Sequence, residues 1–194
     1  MTTMPAILHR ASTEGYAVFT KGEMNVNIVA VRSPNRRSNL FDDLLYVSCK
    51  LNDIWRCWVW TVTTDPGTYW LKNPGRREGT AILCPGQYRG VYKIAKHRGK
   101  YDALCQRNGR VRVWRDNTRD EILDWDKNDP GKAGSYGINI HRASSSRTST
   151  RVDRWSAGCT VFANPSDFQS FMKICKKAAA RWGNSFTYTL LEDK

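Results

Sequence analysis

Acidic residues are scarce in this sequence: 18 Asp and Glu stand against 31 Lys and Arg in 194 residues, giving a net charge of +13. Both halves carry the excess, +8 over residues 1–100 and +5 over 101–194, so the charge is no appended tail. No apolar run approaches the 18 or more residues that a membrane-spanning helix needs. The region from Met1 to Phe19 has only the short apolar patch Pro5 to Leu8, closed by His9-Arg10, which is too little for a secretory leader. With no signal peptide, the protein is expected to be made and kept in the cytosol until something releases it. The six cysteines form no CxxC pair and no dense framework, so reduced thiols are expected. None of the three histidines (His9, His97, His141) stands at finger-like spacing from a cysteine, which leaves no basis for a zinc site. Internal repeats and long linkers are missing too, and Ser144 to Thr150 is the only low-complexity run.

What is present is enough for a folded core. Hydrophobic residues make up 40%, with 8 Trp, 8 Tyr and 6 Phe, which separates the chain from disordered polycations. Strand patterns dominate. Asn27 to Val31, Leu44 to Leu51 and Trp55 to Thr63 are rich in β-branched and aromatic residues, and Asn52-Asp53 offers a hairpin turn. Thr80–Leu83, Gly90–Ile94, Asp102–Gln106, Arg110–Trp114 and Tyr136–Ile140 continue the pattern. After Cys159 the period changes: Asn164-Pro165-Ser166-Asp167 is a helix cap, and Phe168, Phe171, Met172, Cys175, Ala178, Ala179 and Trp182 recur at helical spacing. Phe186 to Leu191 alternates as a last strand. The expected fold is one mostly-β (α+β) domain over residues 1–194 with a late packed helix.

One stretch has the pattern of a nucleophilic site. Gly137-Ile138-Asn139-Ile140-His141 is followed by fourteen residues and then Ser156-Ala157-Gly158-Cys159-Thr160. A cysteine acts as thiolate, so it needs a base or a positive field to ionise it. His141 offers the base, and Arg142, Arg147, Arg151 and Arg154 offer the field. Gly158 lets backbone pass close to a substrate, and the N–H groups of the turn can receive an oxyanion. Taken singly, each part has a plain structural reading: a buried thiol, a hydrogen-bonded histidine, a solvated arginine loop.

Together these residues resemble the L,D-transpeptidase catalytic domain, whose pattern is His, fourteen to seventeen residues, then Ser/Thr-His-Gly-Cys. Thr64-Asp65-Pro66-Gly67-Thr68-Tyr69 is similar to that family's Thr-Pro-x-Gly-x-Phe segment, and the likeness spans most of residues 24–192. Ala157 stands where the family has its second His, and Thr160-Val161 omits the Arg or Asn expected at 161. The resemblance implies a β-sandwich or barrel with a helix after the catalytic cysteine, Cys159 as nucleophile, His141 as base, and Ser156 and Gly158 shaping the turn and helping to orient the imidazole or bind the oxyanion. It implies acyl transfer from peptidoglycan stem peptides through a thioester, with no cofactor and no metal. Pro85 to Gly90, His97 to Lys100 and Gly137 to Ala143 look like the phage endolysin subgroup, which hydrolyses stem peptides. On that reading Arg142, Arg154, Trp155 and Tyr88 are the substrate-binding candidates. The basic surface would hold the enzyme on the anionic bacterial envelope, and it would act at the periplasmic wall after storage in the host cytoplasm.

Two other features were open to function. Arg89 to Arg115 carries nine basic residues interleaved with Tyr92, Tyr101 and Trp114, with Tyr88 just ahead, which suits phosphate contact plus base stacking. The plainer expectation is the polar face of hairpins whose aromatics point inward, with nucleic acid no primary partner. Asp116-x-Thr118-x-Asp120-x-x-x-Asp124 resembles a calcium loop but lacks the central Gly and distal Glu, so it reads as a solvated turn. His97 reads as part of a surface turn, with a place in the lining of the cleft as the alternative.

Overall fold

The computed structural model describes residues 3–193. Eight strands close into a barrel, and the closure depends on two parallel pairings that the sequence does not announce. In order around the wall run β1 (Asn27–Arg32), β11 (Phe186–Glu192), β5 (Gly86–His97), β6 (Tyr101–Gln106), β9 (Ile140–Arg142), β10 (Thr160–Phe162), β3 (Ile54–Thr63) and β2 (Asp43–Leu51). β1 lies parallel to β11 and antiparallel to β2, and all six of its residues are buried, as expected for a strand covered on both faces. β9 and β10 are the second parallel pair. The β2–β3 hairpin turns through Asn52 and Asp53, both left-handed (φ +52° and +57°), the geometry that favours Asn and Asp in two-residue turns.

The wall is thinnest around β9 and β10. A single residue pair, Leu104↔Ile140, joins β6 to β9, and two pairs join β10 to β3. Helix α3 (Pro165–Trp182) packs over this region. Its start is fixed by Asn164, whose side chain accepts the Ser166 N–H at 2.8 Å, with Pro165 at the first helical position. Phe168, Phe171, Met172, Cys175 and Ala178 form its buried face. Phe168 and Phe171 meet Phe162 of β10 at ring-centroid distances of 5.6 and 5.1 Å, and Trp60 of β3 joins them. The helix thus supplies the packing that the short strands cannot.

A second sheet, β4 (Thr80–Leu83), β7 (Val111–Asp116) and β8 (Lys132–Gly134), stands beside the barrel over its own small core of Leu71, Ile82, Cys84, Trp114 and Leu123. Leu71 comes from α2 (Thr68–Lys72), a single turn. Arg32, at the end of β1 and 1% exposed, ties the two parts together. Its guanidinium meets Asp65 at 2.9 Å and donates to the Leu83 and Thr64 carbonyls at 2.9 and 3.2 Å. Asp43 accepts the N–H and hydroxyl of Thr64 and the N–H of Ser33. Burial raises the carboxyls of both Asp43 and Asp65, and Arg32 opposes that rise.

The N-terminal α1 (Ala6–Thr13) was not expected; Leu8 and Ala11 bury against β1, and no side chain caps its start. Tyr136 to Ile140 is not a strand. Gly137 turns the chain at φ +71°, and only Ile140–Arg142 is extended. Among the described residues all six cysteines are free, and no helix is long and apolar enough to cross a membrane.

Candidate active site

The parallel β9–β10 register brings the two halves of the motif together. Thr160 pairs with Ile140 and Val161 with His141, so Cys159 falls opposite Asn139. Side chains alternate along a strand. Ile140 and Phe162 enter the core, which leaves Asn139, His141 and Cys159 on the other face. Fourteen intervening residues are thereby folded out as a loop held by hydrogen bonds: the Ser149 N–H donates to the Ala163 carbonyl, Asn39 holds Val152 and Asp153, and the Trp70 indole N–H donates to the Arg154 carbonyl; just beyond it the Gly67 N–H donates to the Ser156 carbonyl.

The turn that carries Cys159 is braced from inside. Ser156 is fully buried; its Oγ accepts the Gly158 N–H at 3.1 Å and donates to the Cys159 carbonyl at 2.8 Å. The hydroxyl proton is spent on the turn, and the Ser156 side chain makes no hydrogen bond to His141. Gly158 has φ +114°, and a Cβ there would lie 2.3 Å from the Ala81 carbonyl oxygen of β4. Glycine is required on both counts.

The Cys159 Sγ accepts the Asn139 N–H at 3.4 Å and donates to the Gly137 carbonyl at 3.6 Å. It makes no hydrogen bond to His141 in this structure. Burial pushes the thiol up to about 11, against weaker lowering by the Asn139 N–H and Arg98. The expectation that Arg142, Arg147, Arg151 and Arg154 ionise the thiol is therefore corrected: the cation acting on it is Arg98, and burial outweighs it. His141 is 4% exposed. Its Nδ1 lies 2.8 Å from the Arg142 carbonyl oxygen, which only accepts, so Nδ1 carries the proton and Nε2 keeps its lone pair. Burial, with His97 beside it, pushes this imidazole down to about 3. The Tyr101 hydroxyl donates to the same Arg142 carbonyl at 3.2 Å.

Next to His141 lies a cavity of about 390 Å³ lined by His97, Arg98, Lys100, His141, Arg142, Arg154 and Trp155 among others, and by no carboxylate; Cys159 is not part of its lining. Arg142 sits over the Tyr101 ring at 4.1 Å and Arg154 over Tyr69 at 4.0 Å, which holds both guanidinium groups at its rim. Trp155 is 44% exposed there. A second cavity of about 200 Å³, with Ile138, Ala157, Arg76 and Arg115 in its lining, borders the other side of the Cys159 turn.

Compared with family models, curated proteins and solved structures, the chain matches none.

Of the residues singled out from sequence, Cys159, His141, Ser156, Gly158, Arg142, Arg154 and Trp155 converge on this site. Tyr88 does not. It is buried in the barrel core, its hydroxyl donating to the Cys84 and Arg112 carbonyls, and it presents no surface to the groove. Arg147 and Arg151 lie exposed on the loop, outside the cavity lining. His97 opens the turn to Lys100, whose N–H its carbonyl accepts at 2.9 Å, but its ring is turned inward: it is 8% exposed, lines the cavity and stacks on His141 with ring centroids 4.1 Å apart and planes 22° from parallel.

Sequence reasoning also missed Gln106. Its Oε1 accepts the N–H groups of Tyr136, Gly137 and Ile138 at 3.1, 2.9 and 3.2 Å, and its Nε2 donates to the Gly109 and Gly134 carbonyls. One amide thus shapes the segment that receives the Cys159 thiol. A lone Gln at the end of a strand carries no signal of such a role.

The basic Arg89–Arg115 segment offers no stacking platform: Tyr88, Tyr92 and Trp114 are buried, and Tyr101 packs between His97 and Phe168. In the Asp116–Asp124 loop, Asp116 is buried and accepts the Thr118 and Asp124 N–H groups, so it holds the turn itself. Among the described residues no cluster of His, Cys, Asp and Glu could hold a metal ion.

Proposed function

We propose that the chain is a cysteine peptidase of L,D-transpeptidase-like type that hydrolyses peptidoglycan stem peptides through a thioester on Cys159. The observation that carries this reading is the shared face of β9 and β10. Cys159 and His141 project on that one face, His141 with a free Nε2 lone pair and a ring that lines a cavity of cations and no acids. Stem peptides bear carboxylates, and a lining that carries cations and no carboxylate suits them.

In the proposed reaction His141 Nε2 takes the Cys159 proton as Sγ attacks the acyl carbon. The resulting imidazolium, steadied by the Arg142 carbonyl at Nδ1, returns that proton to the departing amine. Water then yields its proton to Nε2 and attacks the thioester, releasing a carboxylic acid and restoring the thiol. The Gly158 N–H is already committed to Ser156, so the oxyanion falls to the Cys159 N–H. Substrate must draw the thiol from the Gly137 carbonyl toward His141, a tightening that catalytic hydrogen bonds commonly undergo on binding.

Cys159→Ala and His141→Ala should each abolish clearing of outer-membrane-permeabilised Gram-negative cells while leaving the circular dichroism spectrum unchanged. Normal clearing by either folded variant rejects the mechanism. Mass spectrometry of muropeptides from purified sacculi separates hydrolysis, which yields shortened stems, from transpeptidation, which yields cross-linked dimers.

A further inference from the structure

We propose that His97 is a second functional imidazole of this site, locked in the tautomer opposite to that of His141 so that its Nε2–H donates to a carboxylate of the bound peptide. The inference rests on the peptidase reading for the identity of the ligand, and on hydrogen-bond accounting alone for the tautomer.

The accounting begins at the Gln106 backbone N–H, which can only donate. It points at the Asn139 side chain at 2.9 Å, so the atom there is the carbonyl Oδ1. That fixes the amide, and the Asn139 Nδ2 faces His97 Nδ1 at 3.1 Å. An amide nitrogen offers only protons, so His97 Nδ1 must hold a lone pair, and the ring's single proton sits on Nε2. A doubly protonated His97 would set two donors against each other. Burial and the Arg98 and Arg107 charges act the same way, pushing this imidazole down to about 4.

The neighbouring ring is locked in the opposite sense, because the Arg142 carbonyl requires a proton on His141 Nδ1. Two stacked imidazoles, 4.1 Å apart, therefore present one lone pair and one N–H. His97 Nε2 meets no acceptor among the described residues, is not sealed from solvent, and belongs to a residue lining the groove with Arg98 beside it. A neutral donor next to guanidinium groups is suited to a carboxylate, which accepts at both oxygens and cannot donate.

The relay also reaches the nucleophile. The same Asn139 gives its backbone N–H to Cys159 Sγ and its carbonyl to the Thr160 N–H. Occupancy at His97 is thereby coupled to the residue that holds the thiol, and Asn139 acts as a positioning residue for both.

The tautomers can be read without any substrate from long-range proton–nitrogen NMR of the imidazoles at neutral pH. His97 should show a protonated Nε2 and bare Nδ1, and His141 the reverse. Two rings in the same tautomer, or a charged His97, would overturn the assignment. Asn139→Asp replaces the donor at Nδ1 with an acceptor and should move the His97 proton to Nδ1. Ligand binding is measured in the Cys159→Ala background, where a soluble tetrapeptide muropeptide cannot be turned over. There His97→Ala should raise Kd about tenfold or more, the usual loss for one hydrogen bond to a charged group. His97→Gln, which keeps a donor, should recover part of it. A Kd unchanged in His97→Ala, or no muropeptide binding at all, refutes the carboxylate role. Failure of the peptidase reading shows separately, as intact sacculi after treatment with the wild-type protein.

Discussion

Alkylation of Cys159 by iodoacetamide as a function of pH reads the resting state of the site directly. Burial holds the thiol at about 11 instead of 9.0, and the imidazole at about 3. The pair therefore rests as thiol and neutral ring, not as thiolate and imidazolium. A rise of about two pH units leaves roughly one hundredth of the thiolate that an unshifted thiol would carry at pH 7, about one part in ten thousand. Because only thiolate reacts, labelling of Cys159 should climb about tenfold per pH unit from pH 6 to 9 without reaching a plateau. The assay is a quenched time course, digestion, and mass-spectrometric counting of the Cys159 peptide, with Cys57, exposed on β3, reporting on the reagent itself. Arg98→Gln should slow Cys159 further, since that guanidinium favours the thiolate. A Cys159 rate that is flat between pH 5 and 8 would refute the reasoning, because it requires a pre-formed ion pair that the buried imidazole does not support. The chemical implication is that Cys159 stays protonated at neutral pH, which protects the thiol from oxidants.

Two further outcomes follow from the same geometry. Gly158→Ala combines a left-handed φ of +114° with a Cβ 2.3 Å from a backbone carbonyl; a loss of at least about 2 kcal/mol is expected from urea unfolding, and an unchanged midpoint would contradict it. Acid should destabilise the fold through His141, whose imidazole stands at about 3 against 6.5 when unfolded. The unfolded chain takes up this proton first, so stability falls as pH drops below 6.5, by about 2 kcal/mol from this group at pH 5. Thermal melts of wild type and His141→Gln across pH 5 to 7 test it: the variant should show the shallower slope.

The local elements were largely legible. β1, the β2–β3 hairpin with Asn52-Asp53, Thr80–Leu83 and the Asn164-capped helix all lie where residue pattern puts them, because each is decided by neighbours in sequence. α1 escaped notice because an eight-residue helix with two buried positions and no capping side chain has almost no signature. Tyr136 to Ile140 misled because its apolar residues have strand composition, while the Gln106 amide, thirty residues away, takes its N–H groups and bends it. At the site, the motif located Cys159, His141 and the Ser156–Gly158 brace. A cleft position for His97 was open in the sequence, but its stack on His141 and its bond to Asn139 were not, since both come from ring and amide orientations set by distant strands. Tyr88 shows the reverse error: it sits in a suggestive segment, yet its phenol is spent on core carbonyls.

The β1–β11 seam has a consequence for how the chain comes to life. Ile28 pairs with Tyr188, about 160 residues later. Strands so far apart must wait for each other, and translation at roughly 5–20 residues per second leaves β1 without its parallel neighbour for about 8–30 s. Meanwhile Asn27–Arg32, buried along its whole length in the finished barrel, is kept from water only by the β2–β3 hairpin and α1. β5, which carries His97, waits for the same strand, since it pairs with β11 along its other half. Chain closure and assembly of the reactive centre are thus one late event, slow by its topology. A product that stops before residue 186 would leave two bare sheet edges and no completed barrel, so premature termination yields aggregate and not a smaller folded domain.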